Sequence, residues 1–333
     1  MLGKFFETLY LKVFVNIVVG QSKSSVYIEL CKDNRVINSD QELFSTTTIN
    51  EEMKEFIHTY IDESPYYYIS VLDTSDTQGA IPVCGKSEHA KYFDDSASKY
   101  MCHDNKWTYY TAKSDLTEIQ NSYGDIGVDF VFSPFVLLNS FFKDKIQTHT
   151  AMFILIEENY LSLAVFENSQ FLFAEHLDMQ NYHEDELLLD DDNDDLDLNE
   201  EIPEIDPLEN LETLDDFADI EDLDAIEDLD EFSDSKDLEE ELSIESEEDF
   251  PVQDSEGFNE DYQRFLLIQS AINNFYKDKK YKSAFIETTY IADSVGVSGD
   301  LKRYLEEEMF LTAYIRHIDL SAELCDIAKR EVE

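Results

Sequence analysis

The sequence predicts an α/β protein of two similar domains, each a mixed sheet built in the order βββαβα, with a long acidic insertion in the second. Three observations lead there. A chain of 333 residues outgrows one core and suits two domains of about 100–150 residues. The same order of apolar elements occurs twice. The stretch Glu184–Asp261 holds half of the 76 acidic residues and only Lys236 of the 24 basic ones.

The formal charge of −52 excludes a nucleic-acid binder, because phosphates would be repelled, and it disfavours anionic membrane surfaces equally. Cys31, Cys84, Cys102 and Cys325 are scattered without Cys-x-x-Cys or Cys/His spacing, so neither a disulfide framework nor a zinc site is expected. That usage suits a reducing cytoplasm. The apolar stretch Met1–Gly20 is interrupted by Glu7 and Lys12, and no run approaches the roughly 20 residues that span a bilayer. The expectation is a soluble cytoplasmic protein without direct membrane insertion, recruited to the inner face of a membrane only through a partner.

The first domain, 1–145, opens with three strands, Val13–Val19, Ser25–Cys31 and Val36–Phe44. Asn50 caps a helix to about Ile61, and the aromatic strand Tyr66–Leu72 follows. The pattern is irregular from about 73 to 111, which reads as an inserted subdomain ending in the strand Lys106–Tyr110. Ser114 then caps a helix to Ser122, Val128–Phe132 is a strand and Pro134–Lys143 a helix.

The second domain, 146–183 with 262–333, restarts with Ala151–Ile156, Leu161–Phe166 and Phe171–His176. An amphipathic helix Tyr262–Lys277 presents Phe265, Ile268, Ile272 and Phe275 on one face. Strand Ala284–Thr289, helix Gly299–Met309, strand Thr312–His317 and a helix Ser321–Arg330 capped by Ser321 complete the repeat.

Mutual repulsion among the carboxylates of 184–261 predicts solvated disorder, since too few apolar residues offset an ordering cost of about 1–2 kcal/mol per residue. Leu208, Leu211, Leu214, Phe217, Ile220, Leu223, Ile226, Leu229 and Phe232 nevertheless recur every third residue. Such alternation marks either a segment that folds on a partner or a plain spacer.

The duplicated order resembles the actin-like (ribonuclease H-like) superfamily, and within it the PilM, GspL and FtsA group. Val15–Val26 is similar to the first phosphate hairpin of these proteins, where an Asp, an apolar residue, Gly and then Ser or Thr are found; Val18 holds the Asp position, with Gly20 and Ser22 after it. Ile154–Leu163 resembles the second hairpin, but its turn carries Glu157 and Glu158 and no glycine. Ile286–Leu301 resembles the adenosine motif, with Ala292 and Asp293 where paired glycines belong and only Gly299 retained.

Binding a triphosphate requires close N–H donors, an anchored Mg²⁺ and no uncompensated negative charge. The resemblance therefore implies a pseudo-ATPase with no catalytic residue, cofactor or metal. It further implies a scaffold of a bacterial envelope machine, such as a type IV pilus, type II secretion or DNA-uptake (competence) apparatus. Its protein partners would be the cytoplasmic tail of an inner-membrane assembly protein, an assembly ATPase, or both.

Other chemistry is weaker. Asp190, Asp192, Asp194 and Glu201 have EF-hand spacing, but Asp195 replaces the turn glycine. Cys102-His103 reads as an irregular surface turn rather than a dyad, and Trp107 and Tyr66–Tyr68 as strand residues of the core. Two other classes stay open: a divergent ATPase with Asp125 or Asp129 on Mg²⁺, and an acidic decoy or fold-on-binding segment carried by a folded scaffold.

Overall fold

The computed structural model describes residues 10–33, 35–180 and 255–332. Residues 184–254 of the acidic segment, with the EF-hand-like spacing and the three-residue apolar repeat, lie outside them.

The first half runs β1 (Lys12–Val19), β2 (Ser24–Lys32), β3 (Arg35–Phe44), α1 (Glu51–Ile61) and β4 (Tyr66–Leu72). The insertion follows as β5 (Gln78–Ile81), a short α2 (Lys86–His89), β6 (Ser98–His103) and β7 (Trp107–Ala112). Then come α3 (Lys113–Ser122), β8 (Phe130–Phe132) and α4 (Pro134–Phe141). The second half runs β9 (Ala151–Ile156), β10 (Tyr160–Glu167), β11 (Gln170–Asp178), α5 (Ser255–Lys277), β12 (Thr288–Asp293), α6 (Gly299–Glu307), β13 (Thr312–His317) and α7 (Leu320–Val332).

The two large sheets have one topology. Their orders are β3-β2-β1-β4-β8 and β11-β10-β9-β12-β13. In each, the first three strands form an antiparallel meander and the last two add in parallel to the first. This is the ribonuclease H-like order that actin-like proteins duplicate, so the fold follows from strand order. The insertion is a separate antiparallel sheet, β5-β7-β6.

Strand alternation divides the core. Val13, Val15 and Ile17 of β1 pack with Met53 and Ile57 of α1. Met152, Ile154 and Ile156 of β9 pack with Phe265, Ile268 and Phe275 of α5. The intervening residues, Phe14 on β1 and Ala151, Phe153 and Leu155 on β9, share a third cluster between the sheets. Both faces of each central strand are therefore covered, which explains continuous apolar runs such as Ala151–Ile156.

The middle layer is supplied crosswise. Helix α4 follows the first sheet but packs on β9 and β10, while α7 ends the second half yet packs on β1, β2 and β4. Each half thus completes the other's core.

The structure corrects several boundaries. The fourth strand of the second sheet is Thr288–Asp293, not Ala284–Thr289, and Phe285 is 76 % exposed in the loop before it. Helix α5 starts at Ser255, seven residues before the expected Tyr262. Ser114 lies inside α3, whose N-cap Ala112 has no side-chain bond. Ser321 is buried inside α7, and Asp319 caps instead, its Oδ1 accepting from the Ala322 N–H at 3.1 Å.

The cysteine expectation also fails. Cys84 and Cys102, 18 residues apart, form a disulfide within the insertion. His103 ends strand β6 rather than sitting in a surface turn; its Nε2 is 3.0 Å from Asn139 Nδ2 and its ring packs on Trp107. Trp107 is buried as expected and stacks on Phe171, whereas Tyr67 is 41 % exposed.

The crossed helices should be energetically indispensable. Leu324 of α7 is fully buried, and Leu324→Ala is expected to cost about 2–5 kcal/mol in urea unfolding. A loss below about 1 kcal/mol would show that α7 does not complete the central layer.

Candidate functional site

The C-terminal ends of the parallel strands and the two hairpin turns open onto one cleft of about 750 Å³. Its walls include Gly20–Ser25 from the β1–β2 turn, Glu157–Tyr160 from the β9–β10 turn, Ser294 and Val295 after β12, and His317–Ser321 after β13. This is where an actin-like fold places a nucleotide.

The first hairpin turn closes with the Gly20 N–H donating to Lys23 O at 3.0 Å. Its next two amides, Gln21 and Ser22, point across the cleft and donate to Glu158 Oε2 at 2.8 and 3.1 Å. A carboxylate oxygen from the second hairpin thus accepts from both amides of a nest suited to an anionic oxygen. Gly20 permits this approach, because a Cβ there would lie 2.6 Å from Lys23 O and 3.0 Å from Glu158 Oε2. Burial raises the Glu158 pKa, but the bonds from Ser22 and Gln21 and the nearby Lys23 charge outweigh it and hold the carboxyl below its ordinary value.

The adenosine loop is treated the same way. Asp293 ends β12, and its carboxylate accepts from the N–H groups of Val295, Gly296 and Val297 at 3.0, 2.8 and 3.0 Å. Gly296 takes φ +86, which a side chain would resist. Ala292 is fully buried inside the strand rather than at a turn. Gly299 is the first residue of α6, capped by Ser298, whose own N–H and Oγ donate to Asp261 Oδ2 at 2.9 and 2.5 Å. Buried Asp261 also accepts from Arg264 at 2.6 Å.

The remaining expected positions fall as follows. Val18, standing where the family has Asp, is half-buried against the central core. Glu157 does not face a ligand as a charge: it is buried, its Oε2 has no hydrogen-bond partner, and burial together with nearby Asp73 pushes its pKa up to about 8. Asp73, on the opposite lobe, is buried too and accepts from Ser75 and Thr111. Of the two turn glutamates, one is thus a neutral buried carboxyl and the other accepts from the amide nest. Asp125 pairs with Lys54 at 2.8 Å and Asp129 accepts from the Ile69 N–H at 2.8 Å, so neither lines the cleft.

Further bonds join the lobes around this cleft. Gln180 donates to Gln21 Oε1 at 2.8 Å, Gln41 to Asp319 at 3.0 Å, and Tyr160 to Asp76 at 2.8 Å. Ser25 and Ser321 hydroxyls lie 3.0 Å apart, and Lys329 pairs with Glu29 at 2.8 Å. Sequence reading missed these links and the capping role of Asp293; the spacing Asp293-x-x-Gly296, an Asx-type turn, was the available clue.

The buried glutamate makes a pH prediction. An unfolded glutamate releases its proton near the ordinary value of 4.5, whereas Glu157 holds it to about pH 8 beside Asp73 and the Tyr160 phenol. Its contribution is fully present below about 4.5 and is lost as pH rises through about 8. Glu157→Gln should therefore raise the thermal midpoint at pH 8, with the gain vanishing by about pH 4. A gain independent of pH would refute the assignment.

Comparison with known proteins follows the same division. Residues 152–333 match a family model described as "Domain of unknown function (DUF8341)", and residues 10–139 one described as "Domain of unknown function (DUF8569)". No curated protein matches the sequence. Among solved structures, the chain is similar to a Bacteroides thetaiotaomicron protein with actin-like ATPase fold and unknown function. That pair is 11 % identical, covers 97 % of this chain and 98 % of the other, and has a TM-score of 0.47. It is also similar to a PilM-PilN type IV pilus biogenesis complex, at 11 % identity over 93 % of this chain and 89 % of the other, TM-score 0.48. A third is the Acidaminococcus fermentans (R)-2-hydroxyglutaryl-CoA dehydratase component A, at 10 % identity over 96 % and 99 %, TM-score 0.38.

Proposed function

Since the chain belongs to the family described as "Domain of unknown function (DUF8341)", we propose its function from the cleft: it is a non-catalytic scaffold, a pseudo-ATPase whose own carboxylates stand in for the nucleotide. The observation that carries this reading is Glu158 on the Gln21 and Ser22 amides. A phosphate entering that nest would have to displace a charged, hydrogen-bonded oxygen already attached to the opposite lobe, and Asp293 imposes the same cost in the adenosine loop. No Mg²⁺ ligand is expected at the first hairpin, because Val18 offers no oxygen.

With the cleft closed to nucleotide, binding passes to protein partners. The resemblance to the PilM, GspL and FtsA group extends the proposal to a cytoplasmic scaffold in a bacterial envelope assembly, a type IV pilus, type II secretion or DNA-uptake system. The partners would be the cytoplasmic tail of an inner-membrane assembly protein or an assembly ATPase. A groove of about 450 Å³ between the first sheet and the insertion suits such a tail. Val19, Ile49 and Ile119 give it apolar walls, and Asp76, Asp115 and Glu118 an acidic rim. Cytoplasmic segments flanking inner-membrane helices are rich in Lys and Arg, which this rim complements. None of the described helices is long and apolar enough to cross a membrane, so membrane recruitment falls to the partner.

Calorimetric titration with Mg²⁺-ATP is expected to give no heat, and melting no shift; a true ligand at 100 times its Kd would add about 2.7 kcal/mol. Saturable binding with Mg²⁺-dependent hydrolysis would restore the ATPase reading. For the partner class, a cross-linked pull-down from a host cell should recover an envelope-assembly protein, and Glu118→Lys should reduce that recovery. Failure to recover any such protein counts against the envelope assignment while leaving the closed cleft untouched.

A further inference from the structure

At the end of the second sheet away from the cleft, the chain exposes two large aromatic rings. Phe310, between α6 and β13, is 86 % exposed, and Phe285, before β12, is 76 % exposed. Strands β12 and β13 pair in parallel from Thr288 opposite Thr312, so the two segments enter the sheet side by side. The connection is tied by the Thr312 N–H donating to Glu287 O at 2.8 Å.

Phe310 is also strained. Among the described residues, the other non-glycine positions with positive φ are Asp33, Asp104, Asn105, Asn168 and Ser169, small polar residues suited to turns. Phe310 adopts φ +56 although its bulk disfavours that region. At 86 % exposure the ring gains little from the described residues in return. Strain and exposure at one aromatic residue together point to a contact made outside the described residues.

The surroundings define that contact. Among the described residues strand β13 is an edge of its sheet; the outer Ala313 N–H is taken by Glu306 Oε1 at 3.4 Å, the later outer N–H and C=O groups have no strand partner, and Tyr314 and Ile315 are 53 % and 38 % exposed. Exposed Glu307 and Glu308 precede Phe310 and exposed Glu287 follows Phe285, whereas Glu306 is paired with Lys302 at 3.7 Å. Arg316, the nearest cation along the strand, is placed over the Phe141 and Phe142 rings.

We propose that the β13 edge with Phe285 and Phe310 is a docking surface for an extended, basic and apolar peptide segment of a partner protein, added as a sixth strand. Main-chain bonds to the open groups of the edge would supply affinity, the two rings would receive its apolar side chains, and Glu287, Glu307 and Glu308 its Lys or Arg residues. A second copy of this chain is the poorer occupant, because an acidic patch on a molecule of charge −52 repels itself. The surface lies at the opposite end of the sheet from the cleft, so the proposal does not depend on the cleft being closed.

The test uses the full-length protein and three synthetic ten-residue probes, alternating Lys-Leu, Lys-Ser and Glu-Leu. A ¹⁹F-labelled phenylalanine at position 310 reports occupancy of this site, separately from charge attraction to the acidic segment. The Lys-Leu peptide should shift the ¹⁹F resonance saturably, and the other two should bind at least tenfold more weakly. Phe310→Gly should lower the affinity read from a second label at position 285 at least tenfold while raising the thermal midpoint, since glycine relieves the positive φ. An unmoved resonance, equal response to Lys-Ser, or a lower midpoint for Phe310→Gly would overturn the proposal. A dimer by analytical ultracentrifugation that Phe310→Gly abolishes would also overturn it, in favour of a second copy.

Discussion

A cluster of backbone N–H groups turned away from the strand ladders must have an acceptor, and two such clusters converge on one cleft. In nucleotide-binding proteins of this architecture the acceptor arrives with the ligand. Here it is built in. Glu158 satisfies the first hairpin from across the cleft, and Asp293 satisfies the loop after β12 from its own strand. The two solutions differ in consequence: Asp293 only stabilises a turn, whereas Glu158 ties one lobe to the other. Neighbouring Glu157 works against it, since a carboxyl kept neutral by burial beside Asp73 weakens the fold once it ionises. Adjacent residues of one turn therefore have opposite pH dependences. Glu158 holds better above its depressed pKa, Glu157 below its raised one.

The lobes do not depend on that latch alone. Because α4 and α7 each fill the layer over the other half's sheet, the central core contains Phe135 and Leu138 from one half and Leu324 and Ile327 from the other. A ligand is not needed to hold the halves together, because both contribute to one buried layer. Val18 adds to that layer, half-buried against the central cluster.

Much of this architecture was legible because strands buried on both faces leave unbroken apolar runs, and the turns between them are short and polar. Asn50 was readable as a cap because its side chain bonds locally, to the Met53 N–H. The failures are long-range or competitive. Ala284-Phe285-Ile286 looks as much like a strand as Tyr290-Ile291-Ala292, and only pairing with β9 and β13 decides between them. Ser321 resembles a cap, but Asp319 two residues earlier takes that place, accepting from the Ala322 N–H and from the Ser321 hydroxyl itself. Cys84 and Cys102 meet only because β5, β7 and β6 form a sheet, which spacing cannot reveal. The departures of the cleft segments from the family's glycine pattern were legible in the sequence. That its carboxylates fill the nests, instead of merely repelling phosphate, depended on geometry between residues 136 and 137 positions apart.

The two ends of the second sheet thus meet opposite conditions. At the C-terminal ends of β9 and β12, polar groups that could bind a ligand are consumed internally by short bonds and by burial. At the N-terminal ends of β12 and β13, apolar rings and an edge strand are left out in water, one of them in a conformation its side chain resists. A chain selected only for stability would relieve both, with a glycine at 310 and a polar residue at 285. Keeping them exposed places recognition at the molecular surface, and it sets the chemistry of what is recognised. An acidic rim around aromatic side chains selects cationic, apolar segments, and the sheet edge requires them to be extended.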